Sequence, residues 1–428
     1  MSRSKILSIN CNFCDAALFV YLCVLFAHQQ ESTIDTILRY GSLFLLIGSY
    51  FLFYTDRPTQ KGSFYWSFSG FELWCILLLV LGLASLQWCL DTNVVTSMLF
   101  KLAKLFLACI IVRPRLTNRE EIKQVWSIVF YALLYTIVLL LVRTPFAEWG
   151  TERIGLEIGQ HSNEVGRLAC LGVLLAVYLW SSGRRHPLLI VGGGLLFVLG
   201  AFMTGSKNAL LIFVFQVGVY YFLVSSRWKR VLIVLASVGG GMLILYLVIR
   251  IPVLYQLVGH RIVAMVGTLS GSYTIYDGST YERLYFIITG ITIFLKHPLH
   301  GIGLNNFASY LTSIGYVNTV SSHCGFVELL STLGLIGFVL YYSLYVCVIK
   351  RLLRPAFRHD HLAALALTLT LRFLLFDMTT VSLYVYHSFF LLMVALETTH
   401  CLRTQEREER QEYHRRLALR LQGWEERT

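Results

Sequence analysis

Twelve apolar stretches of 15–23 residues divide this chain at short intervals, over 13–27, 36–54, 71–90, 97–112, 124–142, 165–181, 187–203, 208–224, 231–249, 326–348, 362–376 and 382–399. A helix of about 20 residues crosses the roughly 30 Å hydrocarbon layer of a bilayer. Lipid offers no partner for a backbone N–H or C=O, so spanning segments of this kind close their hydrogen bonds internally as helices. Composition agrees: 56% of the 428 residues are hydrophobic and 14% are charged, against about 45–50% and roughly 25% in soluble domains. Disorder, a disulfide scaffold and an ordinary cytosolic enzyme are excluded. The expected fold is an all-α polytopic membrane protein with about 12 transmembrane helices.

The net charge of +12 is distributed as small clusters between apolar stretches rather than as a nucleic-acid-binding face. Arg113, Arg115, Arg119 and Lys123 form one cluster, Arg227, Lys229 and Arg230 another, and Lys350, Arg351, Arg354 and Arg358 a third. With the N-terminus inside, six connecting segments hold seventeen Lys and Arg, and the six on the opposite side hold seven. Four of those seven lie in one long segment, 250–325. Cytoplasmic loops carry the excess of Lys and Arg. Both termini are therefore expected in the cytoplasm, with loop 250–325 outside. The basic start, Met1 to Ile6, reads as an uncleaved signal anchor.

Residues 1–401 form the membrane domain in this reading, and 402–428 a cytoplasmic tail. Glu406–Arg410 and Glu412–Arg416 are i,i+4 pairs, and Tyr413, Leu417, Leu421 and Trp424 share a helical stripe. An amphipathic helix on the membrane surface or on a partner protein, or a solvated charged tail, both fit. Cys11-x-x-Cys14 lacks the βαβ context of a redox motif. The triple glycines Gly192–Gly194 and Gly239–Gly241 lie inside spans, where small residues let helices approach.

Polar groups collect at the outer ends of the spans: Arg153, His161, Asn163, Glu164 and Arg167, then Lys207, Arg283, His323, Glu328 and Asp377. Separate segments delivering basic groups to one membrane face describe a pocket for an anion near the lipid surface. Within the long loop, Arg283 to Phe294 is too short to span and is expected as an interfacial helix. It stops before Pro298, in Lys296-His297-Pro298-Leu299-His300-Gly301-Ile302-Gly303. His297 and His300 make only a weak metal pair, with no carboxylate nearby. No triphosphate-binding loop, Asp-x-Asp or His-Glu-x-x-His occurs. No metal and no cofactor are expected, and fixed cations, arginine above all, must then grip any phosphate.

Four stretches carry a family resemblance: Arg153-Ile154-Gly155 through Asn163; Thr204-Gly205-Ser206-Lys207-Asn208-Ala209; Glu282-Arg283 through His297-Pro298-Leu299-His300-Gly301-Ile302-Gly303 to Phe307; and Ser322-His323-Cys324-Gly325-Phe326-Val327-Glu328 to Gly334-Leu335-Ile336-Gly337. In order and spacing they resemble the O-antigen ligase and O-antigen polymerase superfamily of bacterial envelope glycan enzymes, over roughly residues 150–400. Lys207 stands where that family usually has Arg, and Cys324 where it usually has Asn.

The resemblance implies a metal-independent glycosyltransferase in the bacterial inner membrane, with its active site on the outer face. An acceptor hydroxyl attacks a glycan carried on undecaprenyl pyrophosphate. His323 is the candidate catalytic base, with an ordinary pKa near 6.5. Arg283, Lys207 and Arg153 are candidate pyrophosphate ligands, and Asn163, Glu328 and Asp377 supporting residues. Each has a plainer reading: a snorkelling Arg283, Lys207 paired with Glu164, Arg153 paired with Glu152 or Glu157, and His323 as a helix-start residue. The expected partners are the lipid-linked glycan, a glycan or lipid acceptor, membrane lipids and other envelope polysaccharide assembly proteins, without nucleic acid. A polysaccharide polymerase is favoured, with a ligase acting on lipid A-core as the alternative and a lipid-linked sugar flippase as the second.

Overall fold

A computed structural model of the chain describes residues 3–30, 32–54, 69–146, 149, 154–183, 186–270, 278–317 and 320–425. Among the described residues the chain is helical, with no strand. In order run α1 (Arg3–Ala27), α2 (Thr33–Ser49), α3 (Gly70–Ala84), α4 (Thr92–Val112), α5 (Arg119–Arg143), α6 (Ser162–Ser181), α7 (Pro187–Met203) and α8 (Lys207–Val224). Then come α9 (Arg227–Arg250), the single turn α10 (Pro252–Leu254), α11 (His260–Leu269), α12 (Gly278–Lys296), α13 (Phe307–Ser313), α14 (Gly325–Phe357), α15 (His361–Asp377) and α16 (Tyr386–Glu425). Every apolar stretch of the sequence falls on a helix. Seven described helices are long and apolar enough to cross a membrane: α3 with the turn that follows it, α4, α5, α6, α8, α9 and α14.

Polar residues set the helix starts. Ser32, Ser69, Asp91, Asn118, Ser206 and Asp360 each accept a backbone N–H of the first turn they precede, satisfying donors that have no partner inside the helix. Helix α6 is the hub, packing on α5, α7, α8 and α15. Helix α9 packs mainly on α8 and exposes most of its apolar surface, as a helix facing lipid does. Arg113 and Arg115, read from sequence as part of a basic cytoplasmic cluster, are buried. Arg113 pairs with Glu72, and Arg115 bonds Glu121 at 2.8 Å and pairs with Asp15. Cys14 is an ordinary buried helical residue, its Sγ–H donating to the Ser49 carbonyl.

Two segments differ from the sequence reading. The helix expected from Arg283 to Phe294 begins earlier and runs Gly278–Lys296, so Arg283 sits in its second turn. Phe286, Gly290 and Ile293 are its buried positions, a helical stripe that lies against α14, where a side chain on Gly290 would strike Val327. At the other end α16 is one 40-residue helix, so the charged tail continues the last apolar segment without a break. The Glu412–Arg416 pair forms on its exposed surface.

The Pro298–Gly303 turn has a structural task that its sequence did not disclose. Helix α14 breaks at Gly334, which takes φ +63°, a conformation costly for any residue with a Cβ. The turn patches the break. Ile302 and Gly303 donate to the carbonyls of Ser331 and Thr332 at 3.0 and 2.9 Å, and Leu335 donates to that of Pro298 at 2.8 Å. Gly301 and Gly334 each face backbone of the opposite segment, leaving no room for a Cβ. His300 belongs to this packing: its ring meets Trp88 edge-on at 5.1 Å, and its Nδ1 lies 2.8 Å from the Gly301 carbonyl.

Candidate functional site

A cavity of about 700 Å³ opens among the segments that the charge distribution assigns to the outer face. Residues from α2, α4, the start of α6, α12, the loop before α14 and the loop between α15 and α16 line it. Its cations are Arg39, Lys101, Arg167 and Arg283, and among its described lining residues the one carboxylate is Glu164. His161, His323 and His387 also reach it. The excess of positive charge suits an anionic ligand, and the size is that of a small-molecule cleft.

The wall is built from the helix starts. His161 caps α6, its Nδ1 accepting the Asn163 N–H at 3.3 Å, which brings Asn163, Glu164 and Arg167 to the cavity one turn inside the helix. Glu164 pairs with Arg167 and stands 3.5 Å from His387 Nε2. Arg372, fully buried in α15, donates to the Arg167 main-chain carbonyl. Its guanidinium lies 4.5 Å from the Phe376 ring centre, with Arg167 on the same ring at 5.5 Å. Two arginines thus share one aromatic and sit near one carboxylate, leaving a net positive floor under the cavity.

His323 stands across from them in the loop before α14. Its φ is +55°, unusual for a residue with a Cβ and held only where the surroundings dictate it. The surroundings are Glu328 and Asp377. Glu328 accepts the Ser322 N–H at 2.7 Å and the Tyr384 hydroxyl at 2.8 Å. Asp377 accepts the Ser382 N–H at 2.8 Å and the hydroxyls of Ser382 and Tyr342 at 2.8 and 2.9 Å. Gly325 donates to the Thr380 carbonyl at 2.9 Å, and a Cβ on Gly325 would collide with the Asp377 carboxylate. Two buried acids therefore hold the two loops that carry His323 and Tyr384 to the cavity.

The electrostatics of His323 differ from the ordinary imidazole expected from sequence. Burial, assisted by the Arg283 and His161 charges, lowers its pKa from 6.5 to about 4. Desolvation and neighbouring cations both disfavour the charged ring. At neutral pH it is an uncharged imidazole, the form that accepts a proton. Its ring lies 6.1 Å from that of Phe286 on α12, so the helix that carries Arg283 also packs against the histidine.

The structure brings Arg283, His323 and Asn163 into one cavity and sets Glu328 and Asp377 behind its wall. Lys207, the first residue of α8, does not line it. Its Nζ donates to the Arg261 carbonyl at 3.3 Å, and Glu164, the acid suggested as its partner, pairs with Arg167. Arg153 lies outside the described residues. Sequence reasoning did not assign Arg39, Lys101, His387 or Arg372 to the site. Arg39, His387 and Arg372 are single ionisable residues in apolar stretches, and Lys101 is paired with Lys104 one turn on; ionisable groups in such stretches are a signal of function in their own right. The 297/300 histidine pair stays apart from the cavity, and among the described residues no group of three or more metal-ligating side chains assembles.

No curated protein matches the chain. Residues 192–342 match the family model described as O-antigen ligase, a stretch that contains Lys207, Arg283, His323 and Glu328 and ends before Asp377. Over that stretch the resemblance to the O-antigen ligase and O-antigen polymerase superfamily holds.

Proposed function

We infer that the protein transfers a glycan from an undecaprenyl-pyrophosphate-linked donor to an acceptor hydroxyl, at a site on the outer face of the bacterial inner membrane. The observation that carries this reading is one cavity in which, among the described lining residues, four cations face one carboxylate beside His323, whose burial favours the uncharged ring. Arg283 binds a pyrophosphate oxygen; Arg167 adds positive charge behind it. His323 takes the proton of the acceptor hydroxyl as its oxygen attacks the anomeric carbon. The bond from that carbon to the phosphate oxygen breaks, and the leaving undecaprenyl pyrophosphate keeps the electron pair. Its growing negative charge is then met by the same fixed cations, which supply electrostatic stabilisation where charge develops. No metal is assigned a part. Lys207 and Arg153 remain proposed donor contacts through the family resemblance alone. Twelve spans with both termini cytoplasmic, and a division at residue 401, complete the proposal.

A polysaccharide polymerase is the favoured form. The match to a family described as O-antigen ligase supports the second form, with lipid A-core as acceptor. Purified protein given lipid-pyrophosphate-linked repeat units alone separates them. A ladder of longer glycans identifies a polymerase, and product only after lipid A-core is added identifies a ligase. Absence of covalent transfer with either acceptor contradicts both and returns the cavity to the flippase reading.

A further inference from the structure

A second cavity, of about 290 Å³, adjoins the first between α1, α2 and α4 and shares Leu25, Gln29, Thr36, Arg39 and Lys101 with it. Tyr21, Val24, Leu25, Leu43 and Leu105 give it apolar walls; Arg39 and Lys101 stand where it meets the cationic chamber, and Lys104 lines the second cavity alone.

Those three cations are hard to explain as packing. Helix α4 is a candidate span of high mean hydropathy, and Lys101 and Lys104 lie about 14 and about 18 Å along it from Thr92. Charges at that depth in an apolar span are expensive and mark functional sites by default. Among the described residues none of the three forms a salt bridge. The nearby carboxylate, Asp35, turns instead to His28 at 3.2 Å and the Gln30 N–H at 3.0 Å. Arg39 is oriented by neutral groups, donating to the carbonyls of Asp35 and Gln30 and the Thr36 hydroxyl at 3.1–3.3 Å. The Lys104 ammonium is steered by Tyr40, 3.2 Å from its hydroxyl and 4.6 Å from its ring centre. Simple snorkelling does not require such steering.

We propose that this trough is a lateral port for a lipid-linked substrate, with Arg39, Lys101 and Lys104 holding the phosphate or pyrophosphate head and the apolar side chains holding the first part of a single isoprenoid chain. Charge complementarity commits the head to an anion. A volume of about 290 Å³ commits the tail to part of one chain rather than the several acyl chains of lipid A or a phospholipid. Resting on the function proposed above, this gives the chamber two phosphate sites, one at Arg283 and one at the port. That is the arrangement needed when donor and acceptor are both carried on a polyprenyl pyrophosphate.

Native mass spectrometry of the full-length protein with sugar-free undecaprenyl pyrophosphate tests this without requiring transfer. The wild type should hold two lipids, and the double variant Arg39→Gln/Lys101→Gln one. Leu43→Trp, which fills the trough from a position that does not line the first cavity and keeps every cation, should also hold one lipid while still binding inorganic pyrophosphate at wild-type strength. The lipid retained at Arg283 reports that each variant is folded. Unchanged lipid counts in both variants would overturn the port. So would displacement of the second lipid by equimolar phosphatidylglycerol, which would make it a general anionic-lipid site. Two bound lipids with no glycan transfer would leave the port standing and remove the proposed function.

Discussion

At the scale of single residues, His323 is defined by what buries it. An imidazole lowered to about 4 stays unprotonated, and so able to accept a proton, well below the pH at which an ordinary histidine charges. The acid limb of kcat/KM, which reports the free enzyme, should therefore lie near pH 4 rather than 6.5. Arg283→Gln removes one of the cations that depress it and should move that limb upward. A wild-type limb near 6.5 would place His323 in a wetter site than the one described. Arg283→Lys keeps the charge but loses the planar fork that matches phosphate oxygens. Loss of a charge-assisted hydrogen bond is worth roughly 1.5–3 kcal/mol, so transfer should fall about 10–100-fold at unchanged protein level. Full activity in Arg283→Lys would reduce the residue to a point charge.

At the scale of elements, α14 shows how far a motif can be read. The sequence stops one helix before Pro298 and starts another near His323, and both features are present. What it did not disclose is that the two meet: the turn supplies the hydrogen bonds that the kinked helix lacks. Such pairing joins residues 29 to 37 positions apart, and no local periodicity records it. Gly334→Ala must place a Cβ against the Leu299–His300 backbone at φ +63°. It should lower the thermal midpoint by an amount equivalent to roughly 1–3 kcal/mol, and by more if the turn is displaced. An unchanged midpoint would show that the kink relaxes freely. The candidate site was legible to the same partial degree. Arg283, Asn163 and His323 were visible because they sit in motifs at helix starts. Arg39, Lys101, His387 and Arg372 were not, because a charge or imidazole in an apolar segment carries no address until the helices are packed. Lys207 looked exposed to the site from its turn, yet tertiary packing directs its ammonium to the Arg261 carbonyl.

At the scale of the whole molecule, apolar patterning specified a helical membrane protein, since span-length runs of apolar residues have few other solutions. Packing then adds what patterning cannot, namely which helices are interior. Helix α6 is mostly buried and α9 mostly exposed, although α9 is the more apolar of the two spans. The charge distribution predicts the orientation. Reporters fused after Arg230 or Arg354 should read cytoplasmic, and one inserted at Gly315, in the turn following α13, should read external. A cytoplasmic reading at Gly315 would put the cationic chamber on the wrong face for an externally displayed glycan donor.

The central claim is that His323 activates the acceptor in a chamber where cations on other segments hold the donor. The measurement that tests it most directly is single-turnover glycan transfer by His323→Ala, with donor binding recorded on the same preparation. The account predicts transfer slowed roughly 10²–10⁴-fold, the range for a positioned proton acceptor, with donor affinity within about threefold of wild type, a difference of under 1 kcal/mol. Transfer at the wild-type rate, or loss of donor binding in step with transfer, would contradict it.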